Sequence, residues 1–198
     1  ALASSTRLDA KRIAIGISRP AHTVSHTIYP VPQHLKKNLL VRILKQTDTD
    51  SVLIFTRTKH RTKRLAQQIT NDGYNVTSLH GDRTQSQRQS ALNGFKQGRY
   101  QIMVATDIAA RGLDINGISN VINFDMPDTA DAYIHRIGRT GRAEHTGDAF
   151  TLCTPEDMDM VKKIENIMKQ KLPRERMDDF DYESPQPQSA KPAKTHRK

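Results

Sequence analysis

The sequence predicts an α/β fold in which a mainly parallel sheet is covered by helices on both faces. From residue 51 onward, short apolar runs such as SVLIF (51–55) alternate with longer amphipathic segments. Apolar runs without a polar side are typical of parallel strands that are buried on both faces. Strands and helices that alternate at this spacing indicate successive parallel crossover units. The chain has 198 residues, 35% of them hydrophobic, which suffices for one core plus tails.

Each predicted strand has a local pattern of its own. The first alternates apolar and polar residues, and the later ones are short apolar runs bounded by turn residues. Their carboxyl ends carry hydroxyl, glycine or carboxylate groups, which places polar chemistry at one edge of the sheet. In chain order the strands are VSHTIYPV (24–31), SVLIF (51–55), NVTSLH (75–80), YQIMVATD (100–107), SNVINFDM (119–126) and DAFTLCT (148–154).

The predicted helices lie between these strands. The first has leucine and isoleucine at helical spacing, and the second ends at Gly73, a residue type that commonly follows the last helical turn. The stretch after the YQIMVATD strand is predicted to be only a short turn of small residues. The helices are HLKKNLLVRILKQT (34–47), KHRTKRLAQQITNDG (59–73), TQSQRQSALNGFKQG (84–98), the segment around DAYIHRIGR (131–139) and PEDMDMVKKIENIMKQ (155–170).

Composition divides the chain into three parts. Residues 1–23 show little periodicity and are predicted to be a linker or N-terminal extension. Residues 24–172 form the folded domain. After Leu172 the apolar periodicity stops and Pro, Gln, Ser and Lys accumulate. Residues 173–198 are therefore predicted to be a disordered basic tail, which either solubilises the protein or binds an anionic partner.

The charge and cysteine content narrow the class of protein. Lysine and arginine number 31 against 21 acidic residues, for a formal net charge of +10, which suits a polyanionic partner. Cys153 is the only cysteine, so an internal disulfide and a cysteine-rich zinc site are excluded. The sequence shows no run of eighteen apolar residues and no signal-peptide pattern. We expect a cytoplasmic protein with no membrane partner.

The segment HRIGRTGR (135–142) concentrates positive charge. If it is helical, Arg136, Arg139, Arg142 and His135 share one face, where like charges repel unless an anion binds. A solvated basic face is the alternative, with Glu144 or Asp131 as a partner. The two glycines favour phosphate binding, because each is costly inside a helix and is better explained by a close approach or by the end of the helix.

The predicted strand ends offer further donors to an anion. Thr56 and Arg57 follow one strand, Gly81 follows the next and Thr106 follows the third. Hydroxyl and amide groups at such positions bind phosphate without reading a base sequence. The alternative is that the threonines and aspartates only cap helices. In VATDIAARGLDI (104–115), Asp114 could accept hydrogen bonds from a ribose or form a salt bridge with Arg111.

Together these stretches resemble the motifs of the DEAD-box RNA helicases. VATDIAARGLDI and HRIGRTGR resemble motifs V and VI, VLIFTRTK (52–59) resembles motif IV, and HGDRTQSQR (80–88) resembles motif IVa with Gln85 and Arg88. The resemblance runs from about Tyr29 to Lys169 and is closest to the bacterial RhlE-type branch. It implies the second of two RecA-like domains, a three-layer fold with helices on both faces of the central sheet.

The resemblance also implies roles for individual residues. ATP would lie between two domains, with Arg139 and Arg142 as catalytic arginine fingers on the γ-phosphate and Gly112 and Asp114 at the nucleotide. His135 and Arg136 would link to the other domain across the cleft. The RNA backbone would contact six residues, namely Thr56, Arg57, Gly81, Gln85, Arg88 and Thr106.

Half of the ATPase is absent from this sequence. It contains no G-x-x-x-x-G-K-[ST] phosphate loop and no Asp-Glu-Ala-Asp stretch. An N-terminal RecA-like domain of the same protein would therefore hold Mg²⁺, and this chain alone is predicted to be inactive. The alternatives are a non-catalytic RNA-binding module and a DNA-directed or DExH relative. The initial histidine of HRIGRTGR argues against the DExH groups.

Overall fold

A six-stranded parallel sheet forms the centre of the domain. The computed structural model describes residues 24–47, 50–111, 118–141 and 147–186. Within these ranges the strand order is β1-β6-β5-β2-β4-β3, and every neighbouring pair is parallel. The predicted parallel sheet is confirmed. The strands are β1 (Val24–Pro30), β2 (Val52–Phe55), β3 (Val76–Leu79), β4 (Ile102–Ala105), β5 (Asn120–Asn123) and β6 (Gly147–Cys153).

Helices connect the strands, and two of them begin at threonine caps. Thr58 accepts a hydrogen bond from the Arg61 amide at the start of α2, and Thr84 and Gln87 form a reciprocal capping box at the start of α3. Gly73, with φ 96°, follows α2 as predicted. The helices are α1 (Lys36–Gln46), α2 (Lys59–Asn71), α3 (Gln85–Lys96), α4 (Asp107–Ala110), α5 (Ala130–Ile137) and α6 (Met158–Met168). The single turn of α4 is the element that sequence analysis treated as a simple turn.

The helices cover both faces of the sheet. Val52 and Ile54 of β2 pack into the core cluster that contains α1 and α2, whereas Leu53 and Phe55 pack into the cluster that contains α3 and α4. A further cluster joins α5 and α6 to β1 and β6 on the α3/α4 side. This is the RecA-like three-layer arrangement that the family resemblance implied.

The C-terminal segment begins as part of the folded domain. Ile28 in edge strand β1 donates its amide to the Pro173 carbonyl (2.8 Å) and accepts a bond from the Glu175 amide (2.9 Å). Tyr182 is buried in the α1/α2 cluster with Met177 and Phe180 packed beside it. The predicted start of a disordered tail at residue 173 is therefore wrong for residues 173–186. Residues 1–23 and 187–198 lie outside the described ranges.

Candidate functional site

A pocket of about 170 Å³ opens at the carboxyl edge of the sheet, between α4 and α5. Its walls combine apolar groups with guanidinium, imidazole and carboxylate groups. Because α4 follows β4 directly and α5 follows the end of β5, the fold brings both connections to the same edge. The lining residues are Phe55, Asp107, Ala110, Arg111, Ala132, His135, Arg136 and Arg139.

Arg136 braces the floor of this pocket. Its Nε and Nη2 donate to the two carboxylate oxygens of Asp107 (2.6 and 2.7 Å). Its Nη1 donates to Asn123 Oδ1 (3.0 Å) and to the Asp125 carbonyl (2.7 Å). The guanidinium also lies 4.9 Å from the centre of the Phe55 ring, a cation–π distance. Four of its five donor hydrogens thus have partners inside the domain.

The predicted role of Arg136 across a cleft is corrected by this arrangement. Only 2% of the residue is exposed, because it lies on the sheet-facing side of α5 with Tyr133 and Ile137. A buried cation is stable only when it is paired and hydrogen-bonded. The residue therefore fixes α5 to the ends of β4 and β5 and positions the pocket.

His135 and Arg139 are predicted residues that line the pocket from the α5 side together with the buried Arg136. His135 is exposed on α5, and Arg139 follows the end of the helix. The helix ends at Ile137 because Gly138 caps it, and the Gly138 amide bonds to the Ile134 carbonyl (2.9 Å). Arg136 and Arg139 therefore do not share a helical face, and the sequence alternative in which a glycine ends the helix is confirmed.

Three predicted site residues lie outside the described ranges. They are Gly112, Asp114 and Arg142. Gly141, just before Arg142, has a φ of 68°, in the left-handed region that glycine adopts readily.

Thr56 does not reach the surface. The residue is fully buried, and its Oγ1 lies 2.6 Å from Oγ1 of Thr62. Since Thr62 already donates to the Thr58 carbonyl (2.9 Å), the Thr56 hydroxyl donates to Thr62. The prediction of an RNA contact at Thr56 is therefore corrected, because its side chain holds the first turn of α2 against β2.

Arg57 lies at the sheet edge as predicted. Its amide donates to Asp125 Oδ2 (2.9 Å), and its guanidinium reaches the Met126 carbonyl (3.3 Å) and Asp128 (Nε–Oδ1 3.5 Å). Half of the side chain remains exposed (51%). Its cationic surface is available to an anion, since such exposed pairs are weak and exchangeable.

The other predicted RNA residues cluster where β3 and β4 end. Gly81 is exposed, and a Cβ placed there would meet no atom within 4 Å. Gln85 is exposed in the first turn of α3, while Arg88 donates to the Ala109 carbonyl (3.3 Å) and so joins α3 to α4. Thr106 is half-buried and makes no side-chain cap to α4. For Thr106, unlike Thr58, the capping alternative therefore does not hold.

Asp125 is a site residue whose importance sequence analysis missed. It is 3% exposed, its carbonyl accepts from Arg136, and its carboxylate accepts from the Arg57 amide and pairs with Arg61 (3.3 Å). Lys36, also buried, donates to the adjacent Phe124 carbonyl (3.1 Å), and burial lowers the pKa of this lysine. A carboxylate two residues after an apolar strand and two residues before a proline was the available signal.

Asp82 forms a second polar centre at this edge. Its carboxylate oxygens bind Lys59 and Lys63 of α2, each at 2.8 Å. These hydrogen bonds hold the pKa of Asp82 far below its usual range. His80, just upstream, is buried, its Nδ1 has no hydrogen-bond partner among the described residues, and burial lowers its pKa.

The carboxylate in the described lining of the α4/α5 pocket is already paired. Asp107 is the one carboxylate among the pocket's described lining residues, and both of its oxygens accept from Arg136.

None of the helices in the described ranges is long and apolar enough to cross a membrane.

Comparison with known proteins identifies the family. Residues 35–144, more than half of the chain, match the family described as the helicase conserved C-terminal domain. The structure of the Escherichia coli DEAD-box protein SrmB, bound to regulator of ribonuclease activity A, superposes with a TM-score of 0.75 at 33% identity. The match covers 83% of this chain and 97% of that one. The chain belongs to the C-terminal domains of DEAD-box helicases.

Other DEAD-box proteins match the same domain. Saccharomyces cerevisiae Dbp5 bound to RNA and ADP BeF3 superposes with a TM-score of 0.75 at 27% identity, over 81% of this chain and 43% of that chain. The helicase CshA of Bacillus licheniformis is 44% identical over 76% of this chain. The rRNA helicase RRP3 of Kluyveromyces lactis is 41% identical over 79%. This chain matches only about a third of the length of each of these two curated relatives (31% and 32%). The RhlE-type branch stays a prediction.

Proposed function

We propose that this chain is the C-terminal half of an ATP-dependent RNA helicase. It would bind the RNA backbone at the carboxyl edge of its sheet and complete the ATP site with arginine. The observation that carries the proposal is the α4/α5 pocket, in which Arg139 and His135 lie beside the ion pair of Asp107 and the buried Arg136. The relatives CshA and RRP3 are named ATP-dependent helicases, which supports this assignment.

On the nucleotide side, Arg139 and Arg142 would act on the γ-phosphate. Guanidinium groups that stabilise a transferring phosphoryl group are worth roughly 10³ to 10⁵ in rate. Gly112 and Asp114 would meet the nucleotide, with the Asp114 carboxylate accepting from the ribose, and His135 would face the N-terminal RecA-like domain across the cleft. Mg²⁺ would be bound by that other domain, which is the part of the protein that carries the phosphate loop in the proposed arrangement.

On the RNA side, five of the six predicted residues remain candidates. Arg57, Gly81, Gln85, Arg88 and Thr106 follow three neighbouring strands at one edge. Such donors recognise phosphate and sugar, so binding would not depend on base sequence. Arg88 and Thr106 also adjoin α4, which lines the nucleotide pocket. This proximity would couple RNA binding to closure of the two domains and to local separation of a duplex.

The site of action would be the cytoplasm. The single cysteine, Cys153, is buried and has no disulfide partner, which suits a reducing compartment.

The deciding experiment joins this chain to an N-terminal RecA-like domain. Purified fusion protein should hydrolyse ATP when RNA and Mg²⁺ are added, with turnover rising as RNA is titrated. A fusion that binds RNA but never hydrolyses ATP would instead favour a non-catalytic RNA-binding module. Replacement of the phosphate-loop lysine in the added domain is the control, since it should abolish turnover without altering this chain.

A further inference from the structure

A second and larger cavity opens on the other face of the sheet. It measures about 570 Å³ and lies between the N-terminal half of α1, the first turns of α2 and the end of the described C-terminal segment. We call it the α1/α2 cleft. Phe124, the residue after β5, forms part of its floor, so the cleft reaches the same carboxyl edge as the nucleotide pocket.

The α1/α2 cleft is basic. Its described lining includes Lys37, His60, Arg61 and Arg64 and no carboxylate. Lys37 pairs with Asp72, which does not line the cleft (2.7 Å). His60 and Arg64 are exposed, and no ion pair of the described chain involves Arg64. The guanidinium of Arg64 and the imidazole of His60 are therefore accessible to a ligand.

The cleft is joined to the proposed RNA edge through one carboxylate. Asp125 accepts the Arg57 amide on Oδ2 (2.9 Å) and pairs with Arg61 Nη1 on Oδ1 (3.3 Å). Arg57 belongs to the edge and Arg61 to the cleft. Both oxygens of Asp125 are therefore already bound where the edge meets the cleft, and half of the Arg57 side chain stays exposed there.

The remaining lining favours a nucleic acid over an acidic peptide. The Arg61 guanidinium lies 5.6 Å from the centre of the Phe124 ring, which covers one of its planes. An arginine plane held this way can stack on a base. Gln68 adds an amide that can donate to and accept from base edges. An acidic peptide would need only the cations, whereas stacking and amide groups suit single-stranded RNA.

We propose that the α1/α2 cleft binds single-stranded RNA that continues past the sheet edge. This inference rests on the proposed RNA binding at that edge and extends it to the opposite face of the sheet. Arg64 and His60 would contact phosphates, and Arg61 would stack on a base. The cleft would lengthen the RNA footprint without entering the nucleotide pocket.

The test compares two charge reversals in this chain. Arg64→Glu changes the cleft, and Lys163→Glu makes the same change at an exposed position of α6 on the other face. Binding of a labelled oligouridylate about 12 nucleotides long is measured by anisotropy over a range of salt concentrations. Arg64→Glu should weaken binding severalfold more than Lys163→Glu. It should also make the salt slope shallower by about 0.7, the value for one lost phosphate contact on a single strand.

Cross-linking locates the RNA directly. A 4-thiouridine version of the oligomer should form adducts on residues 59–71 in the unmodified chain, and fewer in Arg64→Gln, which keeps the helix. Thermal unfolding of both variants checks that the fold is intact. Equal weakening by the two charge reversals, with adducts confined to residues 80–106, would overturn the proposal. So would an Arg64→Glu variant that loses binding to labelled oligoglutamate but not to RNA.

The experiments distinguish an incorrect RNA assignment of the α1/α2 cleft from an incorrect proposed function. Arg88→Ala with Thr106→Ala changes the sheet edge and leaves the cleft unchanged. If this double variant loses RNA-stimulated turnover in the two-domain fusion while Arg64→Glu binds RNA normally, the edge assignment stands and the cleft assignment fails. If the fusion never hydrolyses ATP, the proposed function fails whatever Arg64→Glu does.

Discussion

Arg136 has the most demanding environment of the residues in the HRIGRTGR segment. Its charge is almost fully buried and is balanced by Asp107, which is itself partly exposed (39% of the side chain). Asn123 Oδ1 and the Asp125 carbonyl would lose a donor if the guanidinium were removed. These bonds to Arg136 fix the positions of α4, α5 and β5 relative to one another.

Replacement of Arg136 should therefore destabilise the domain. Arg136→Met keeps much of the volume but leaves buried acceptors without donors, and we expect a loss of about 3 kcal/mol in the free energy of unfolding. Urea unfolding of the isolated chain measures it. Arg99→Met, an exposed change near the end of α3, is the control and should stay within about 0.5 kcal/mol of the unmodified chain. A loss no larger than that of the control would show that Arg136 does not brace α5.

Arg139 should instead affect catalysis. In a two-domain fusion, Arg139→Lys keeps the charge but removes the planar, two-pronged donor, so ATPase turnover should fall by about 10³. Arg142→Lys is expected to behave in the same way. RNA affinity without nucleotide should change little, and Arg99→Lys should alter neither property. Equal losses of RNA binding and turnover would place Arg139 on the RNA surface.

The sequence predicted which residues carry useful chemical groups better than it predicted whether their side chains point to the surface or to the core. It placed Arg57 at the sheet edge because the carboxyl ends of parallel strands converge there, and the family resemblance placed Arg139 and His135 at the cleft. It did not predict that Arg136 and Thr56 point inward. A polar residue in an amphipathic helix, or directly after a strand, is compatible with either side until its partners are known. For Arg136 those partners come from β5 and α4, far from it in the sequence.

Strands and helices were predictable where hydrophobic periodicity was strong. The β2, β4 and α2 segments carry clear patterns, and glycines with positive φ follow α2 and α3. The C-terminal segment carries no such pattern, because Met177, Phe180 and Tyr182 are spaced irregularly among charged residues. Its burial depends on the open edge of β1 and the surface of α1, which only the tertiary fold supplies.

Glu165 fastens this C-terminal segment to α6 and should make stability depend on pH. It accepts bonds from Arg174 Nη1 (2.8 Å), the Leu172 amide (2.9 Å) and Lys171 Nζ (3.3 Å). The hydrogen bond from Arg174 contributes most to lowering its pKa to about 2, from an ordinary 4.5. A carboxylate with a depressed pKa stabilises the fold above its unfolded pKa and loses that contribution as the pH falls toward the folded value.

Glu165→Gln should therefore be less stable than the unmodified chain at pH 7, by up to about 3 kcal/mol. The difference should shrink progressively between pH 4.5 and pH 2 as Glu165 of the unmodified chain becomes protonated. Urea unfolding at a series of pH values measures it, with Glu183→Gln as an exposed control in the same segment. A difference that stays constant with pH would mean that Glu165 acts through packing and not through its charge.

The isolated chain should bind RNA but hydrolyse no ATP. Within the described residues, the one carboxylate that lines the α4/α5 pocket, Asp107, already accepts from Arg136, and the sequence contains no phosphate loop. Positioning of the nucleotide and activation of water would need the second domain. Turnover is measured on chain freed of contaminating ATPases, with the fusion protein as the positive control. Robust RNA-stimulated hydrolysis by the chain alone would contradict the division of the site between two domains.

In the two-domain protein, RNA affinity and RNA-stimulated ATPase turnover should respond to different changes. Deletion of residues 187–198 removes Lys191, Lys194, Arg197 and Lys198 but none of the described contacts of the domain. It should weaken RNA binding mainly at moderate salt, because it removes groups that release counterions, and turnover should recover at saturating RNA.

The double variant Arg88→Ala with Thr106→Ala should behave differently from the deletion, because these residues adjoin α4 at the α4/α5 pocket. Its stimulated turnover should stay low at saturating RNA and at both low and moderate salt. Full recovery of the double variant at saturating RNA would show that the sheet edge only attracts the strand, and that closure is triggered elsewhere in the protein.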